Sequence, residues 1–182
     1  MTGHGFTDPA RQSAQGFRVL MDAMARPGTI HRLDQAHAPG VGPAAATVLL
    51  LLADPTTPVH LAGALPDLAP WLRFHASCPM ADAPSAALAV GRWPDLLPLD
   101  RFAVGLPDYP DRSATLIVEL DRLDADGPVL RGPGIRDRAT LSLPATAPFR
   151  ANRALFPMGL DFILTCGDRL ACLPRSTRVE AA

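Results

Sequence analysis

Leu160-Asp161-Phe162-Ile163-Leu164-Thr165-Cys166, then Gly167-Asp168, then Arg169-Leu170-Ala171-Cys172-Leu173 is the stretch whose reading decides the fold class. Two β-rich runs around a two-residue glycine turn are the signature of an antiparallel hairpin. A loop of that length pairs Ile163 with Cys172 and Cys166 with Arg169, which puts Cys166 and Cys172 on opposite faces and forbids a bond between them. Upstream, shorter apolar runs alternate with helical patterns. A hairpin beside helix-linked strands means a mixed β-sheet flanked by helices, an α/β fold.

Working outward, a first helix is expected where Phe17, Leu20, Met21 and Met24 recur at i, i+3, i+4, i+7 behind Asp8-Pro9 and ahead of Pro27-Gly28. Thr29 to Leu33 reads as extended. Pro43 suits the first turn of a buried helix from Ala44 to Ala53, and Val59 to Ala62 reads as a strand. Leu68, Trp71, Leu72 and His75 return to helical spacing, and a strand is expected over Ala86 to Val90. Four prolines between Gly91 and Arg112 predict loops with one short helical turn at most. Ala114 to Leu120, Pro128 to Arg131 and Ala139 to Leu143 read as strands, with Gly132-Pro133-Gly134 turning between the last two, and Pro148 to Leu155 as a short helix.

The 182 residues, 48% of them apolar, are enough to fill a single core, and one domain over 1–182 is expected. With 20 prolines and 14 glycines, the chain stays below the roughly 25–30% share that marks disorder. A net charge of -1 provides no basic field for nucleic acid. All 17 basic residues are arginines, and Glu119 and Glu180 are the only glutamates. Without lysine there is no pyridoxal phosphate Schiff base, no Walker A loop and no Ser-x-x-Lys acyl enzyme. Cys78, Cys166 and Cys172 match neither a disulfide framework nor a structural zinc site, which fits a reducing compartment. Met1 to Phe6 lacks a signal-peptide pattern and Ala44 to Ala53 is too short to span a bilayer, so a cytoplasmic protein without a membrane segment is expected.

Several constellations bear on function. Gly40-Val41-Gly42-Pro43-Ala44-Ala45 fits Gly-x-Gly-x-x-Ala at a helix start, but Pro43 removes an amide and no acidic ribose partner follows, so a plain loop entering a helix is the reading. His31 and His37 flank Asp34 without a metal-site spacing and read as surface residues. His75 ends an apolar stripe near a helix terminus, where the dipole favours its charged form. Arg131-Gly132-Pro133-Gly134-Ile135-Arg136 sets a glycine turn between guanidinium groups. Leu173-Pro174-Arg175-Ser176-Thr177-Arg178 groups two arginines and two hydroxyls at a strand end, the kind of place where α/β sheets bind ligands. The anion-binding candidates are therefore Arg175 and Arg178 with Ser176 and Thr177, then Arg131. No residue is nominated as catalytic, and none as a metal ligand.

Phe17-Arg18, Met21-Asp22-Ala23-Met24-Ala25-Arg26-Pro27-Gly28, Leu72-Arg73-Phe74-His75, Gly132-Pro133-Gly134-Ile135, Pro157-Met158-Gly159-Leu160-Asp161 and Leu173-Pro174-Arg175-Ser176-Thr177 resemble, in order, the blocks of the PhnH family, the H subunit of the bacterial carbon-phosphorus lyase system. The resemblance implies a cytoplasmic protein of phosphonate catabolism that associates with the G, I and J subunits and forms homodimers when alone. It implies a part in the step in which a phosphonate displaces adenine from MgATP to give ribose 1-phosphonate 5-triphosphate, with ATP a substrate of the complex. It also implies a reduced pyridoxal-phosphate-dependent transferase fold that has lost its cofactor. The family contributes no catalytic residue to this sequence. The competing readings are a free-standing enzyme acting on a phosphorylated metabolite and a purely structural assembly module.

Overall fold

The computed structural model describes residues 3–180; 1–2 and 181–182, the ends of the expected domain and the start of the Met1 to Phe6 segment, lie outside the described residues. Helix α1, Pro9–Ala25, begins where Asp8 accepts a hydrogen bond from the Arg11 amide behind Pro9. Its buried face is Gly16, Leu20 and Ala23, rotated from the expected stripe, so Phe17 and Met21 remain exposed. β1, His31–Arg32, follows. α2, Pro43–Leu52, is apolar almost all round because it is covered by α1 and by α3, Leu68–Ala76, as well as by the sheet. β2, Val59–Leu61, lies between α2 and α3 in the chain.

β3, Leu88–Arg92, runs two residues beyond the expected strand before the short α4, Trp93–Leu96. The expectation of loops from Gly91 to Arg112 is corrected: β4, Val104–Leu106, and β5, Tyr109–Ser113, form a hairpin turning at Pro107-Asp108. Prolines are tolerated there because the ribbon has only two strands, and Pro110 needs no amide for a second neighbour. β6, Thr115–Glu119, β7, Val129–Arg131, and β8, Ala139–Thr140, come next. β8 is shorter than expected, since the Ser142 amide turns to the Asp124 carbonyl instead of a ladder partner. α5, Ala147–Ala154, leads to β9, Asp161–Cys166, and β10, Arg169–Leu173. β11, Arg178–Val179, pairs with β7, a strand that the short sequence run gave no reason to expect.

The main sheet has the order β1-β10-β9-β6-β3-β2, in which β2, β3, β6 and β9 are parallel and β10 is antiparallel. It is the expected mixed sheet flanked by helices. The parallel strands are continuous apolar runs because both faces are covered. On one face Val90, Ile117, Ile163 and Cys172 pack with Leu20, Leu49 and Leu72 of α1 to α3. On the other, Leu116, Phe162 and Leu164 pack with Trp93, Phe149 and the small β11-β7-β8 sheet. Among the described residues, no helix is long and apolar enough to cross a membrane.

The hairpin has the expected register, Ile163 opposite Cys172 and Cys166 opposite Arg169, with Gly167 at φ 60 in the turn. The three thiols are free. Burial, helped by Asp161, pushes the Cys172 thiol up to about 12, and burial also raises Cys78. At pH 8 a thiol of that pKa is about one part in ten thousand thiolate, so alkylation of native protein should modify Cys166 alone, with Cys78 and Cys172 reacting on unfolding. Peptide mapping that found equal labelling of all three, or a Cys166 to Cys172 bridge, would contradict the packing.

Candidate functional site

The four parallel strands end along one edge at Leu61, Arg92, Glu119 and Cys166. Ligands of open α/β sheets bind outside such carboxyl ends. Arg92, Glu119 and Thr165 stand in register across β3, β6 and β9. Two cavities of about 400 Å³ each open over this row and share Arg92 and Glu119. The first is walled by Trp93, Pro94, Leu120, Leu143 and Pro144, with Ser142 and Arg122 beside them. The second is lined by Gly40, Val41, Ala62, Ala64 and Leu65, with Asp95 as its other carboxylate.

Glu119 is half-buried, and its two oxygens are held separately. Oε1 accepts from the Thr165 hydroxyl at 2.8 Å and Oε2 from the Gly42 amide at 3.3 Å. The ion pairs along this edge are Arg92 with Asp121 at 3.0 Å, Arg122 with Asp124 at 2.7 Å and also with Asp126, Arg169 with Asp124 at 3.2 Å, and Arg32 with Asp168 at 2.5 Å. None of them includes Glu119, so its carboxylate faces the cavities without a counter-ion among the described residues. The Arg122 guanidinium, with Arg169 behind it, holds the Asp124 carboxyl below its ordinary range. Arg92 and Asp121 are 67% and 87% exposed, a pair too solvated to fix the Arg92 side chain.

The Gly40–Gly42 segment is a loop entering α2, as expected, and it forms a wall of the second cavity. At the helix entry no amide is offered to a pyrophosphate by three successive residues: Gly42 donates to Glu119, Pro43 has no N–H, and Ala44 donates to the Gly167 carbonyl at 3.0 Å. A side chain at position 42 would meet the Gly167 carbonyl at 2.9 Å, which explains why glycine stands there.

The residues nominated for anion binding lie elsewhere. Because β10 runs antiparallel, its end at Leu173 falls at the amino edge of the parallel strands, opposite the two cavities. Arg175 turns inward there. Its Nε and Nη2 clamp the Asp161 carboxylate, Nη1 donates to the Pro110 carbonyl at 2.5 Å, and Nη2 also reaches Ser113 Oγ. The expectation of an exposed Arg175 loop is thus corrected: the fork is occupied by the protein's own acceptors. Arg131 and Arg178 face each other across β7 and β11. Arg131 binds Glu180 at 2.7 Å and the Asp137 carbonyl at 2.9 Å, and Glu180, then Asp137, raise its pKa. Arg178 is exposed and has no ion pair among the described residues. Thr177 is buried with an unpaired hydroxyl, and the half-buried Ser176 gives its carbonyl to Arg153.

The histidines are also separate. His31 contacts Thr29 and Asp22, whereas His37 packs on His4. His75 lies against Trp71, with a ring-centroid separation of 4.7 Å, and desolvation lowers its pKa, opposing the dipole effect expected from its position. Sequence reasoning did not nominate Glu119, Arg92 or Asp95. The available signal was one of two glutamates closing the strongest internal β run.

The family model described as "Bacterial phosphonate metabolism protein (PhnH)" matches residues 4–180. The alpha-D-ribose 1-methylphosphonate 5-triphosphate synthase subunit PhnH of Rhizobium meliloti (strain 1021) is 40% identical over 189 residues, covering 96% of this chain and 94% of its own. The putative C-P lyase subunit protein HtxG of Stutzerimonas stutzeri is 31% identical over 183 residues, covering 94% and 87%.

Proposed function

The chain belongs to the PhnH family of bacterial phosphonate metabolism proteins, and from that premise we propose that it is the H subunit of a carbon-phosphorus lyase core complex. In this reading it is needed to form ribose 1-phosphonate 5-triphosphate from MgATP and a phosphonate, with adenine displaced. The observation that carries the reading is the end-to-end match with a named synthase subunit, 94% of which is covered. Its partners are the G, I and J subunits in the cytoplasm, and in their absence it pairs with itself.

The architecture supports a reduced transferase ancestry in general terms: parallel strands followed by one antiparallel neighbour, with a cleft over the carboxyl edge. Inherited fold does not carry inherited chemistry. With no lysine in the sequence, pyridoxal phosphate has no amine for an aldimine, and we place ATP in the complex as a substrate instead. If a phosphoryl group also meets the opposite edge, Arg178, exposed and without an ion pair among the described residues, is the nominated guanidinium to receive it, with Arg175 and Arg131 already engaged.

The deciding experiment is affinity capture of the tagged chain from cells grown on methylphosphonate as the phosphorus source, alongside deletion of its gene. Co-purification of the G, I and J subunits and loss of growth on methylphosphonate are expected. A tagged chain that captures none of them, in cells whose deletion strain still grows, would favour a free-standing enzyme. Capture without any growth requirement would favour a structural module.

A further inference from the structure

We propose that the cleft at the carboxyl edge is a ribonucleotide site in which Glu119 accepts hydrogen bonds from the ribose hydroxyls. Glu119 is the one side chain common to both cavities that can only accept, and each of its oxygens already holds a single donor. A carboxylate oxygen has room for a second, so the cleft selects a ligand that brings donors to its centre. Thr165 and Gly42 fix the carboxylate from behind, which orients it before any ligand arrives.

The two cavities differ in chemistry. The first has apolar walls in Trp93, Pro94, Leu143 and Pro144, suited to a heterocyclic base, with Ser142 able to meet its edge and the exposed Asp121 and Arg122 at its rim. The second is lined mostly by small residues and carries Asp95 as a second acceptor, which suits hydroxyls and repels phosphate. A nucleoside therefore lies with its base in the first cavity and its sugar against Glu119. Its phosphates leave through the mouth, where Arg92 stands between the cavities with the exposed Asp121 as its one partner among the described residues. Arginine can exchange that solvated contact for a phosphoryl oxygen. A carboxylate on the ribose hydroxyls is the arrangement other parallel α/β sheets use for the same sugar.

The choice of adenine and of a triphosphate as probe rests on the subunit reading above, whereas recognition of the sugar rests on Glu119. Calorimetric titration of the purified full-length chain with MgATP and with its 2′-deoxy analogue tests it. ATP is expected to bind, and the deoxy analogue to bind roughly 10-fold or more weakly, the effect of one hydrogen bond to a charged group. E119Q should weaken ATP by a similar factor and abolish the distinction between the two nucleotides. R92A should weaken ATP while leaving adenosine unchanged. Equal affinity of wild type for the two nucleotides, or no ATP binding at all, overturns the proposal. If E119Q does not fold, the wild-type comparison and R92A still decide. Failure here with the G, I and J subunits still captured leaves the subunit reading standing, and binding without capture does the reverse.

Discussion

R175A should lower stability by about 3 kcal/mol, which for a chain of this size is a fall in Tm of roughly 6–12 °C. The reason is the setting of the side chain. The side chains of Arg175 and Asp161 are 15% and 22% exposed, and the pair is reinforced by the Arg175 amide, which donates to Asp161 Oδ1 at 2.8 Å. Truncating the guanidinium leaves the Asp161 carboxylate half-buried without its cation. It also leaves the Pro110 carbonyl and Ser113 hydroxyl without their donor, so the β4–β5 hairpin loses its tie to the start of β9. The discriminating measurement is a double-mutant cycle. R175M and D161L should each be costly alone, and the two together should recover part of the loss: replacing both partners removes the stranded charge, while the Arg175 amide, the Pro110 carbonyl and the Ser113 hydroxyl stay without their partners. An R175A protein melting within about 2 °C of wild type would show that the fork is solvated and free for a ligand after all.

That contrast shows which part of the molecule the sequence made legible. The Gly167-Asp168 hairpin, the buried Ala44 to Leu49 stretch and the mixed sheet follow from turn chemistry and apolar runs, which are local, and they stand in the structure as expected. The ligand edge is not a local property. Leu173-Pro174-Arg175 is a strand end in either case, but only the direction of β10 relative to β9 determines which edge of the sheet it reaches. The same holds for Glu119: its identity is plain in the sequence, while its place between two cavities requires β3, β6 and β9 to be brought into register. The β4–β5 hairpin was obscured by Pro107 and Pro110, since proline opposes a central strand but not a two-stranded ribbon. Phe17 and Met21 belong to an apolar helical stripe that is wider than the surface α1 buries, and periodicity alone does not say which side of it faces out.

The second large effect is expected at Asn152, a polar residue only 7% exposed on the inner face of α5. Its carboxamide is used at both ends by one residue: Nδ2 donates to the Leu160 carbonyl at 2.9 Å and Oδ1 accepts from the Leu160 amide at 2.7 Å. Leu160 immediately precedes β9, so this clamp sets where the strand enters the sheet, and through it the register of Asp161 with Thr115. In N152L the branched shape and the number of heavy atoms are kept, yet two buried backbone groups lose their partners, at about 1–3 kcal/mol each. The expected loss is therefore about 2–6 kcal/mol, read as a shift of the urea midpoint at unchanged m-value. N152D separates the two bonds: a carboxylate still accepts from the Leu160 amide but has no N–H for its carbonyl, and the buried charge is repelled by that carbonyl, so its loss near neutral pH should be at least as large as that of N152L. A fall of the N152D deficit on acidification, as the carboxyl gains a proton to donate, would identify the carbonyl bond as the missing one. Equal stability of wild type and N152L would remove the clamp from any account of how β9 is positioned.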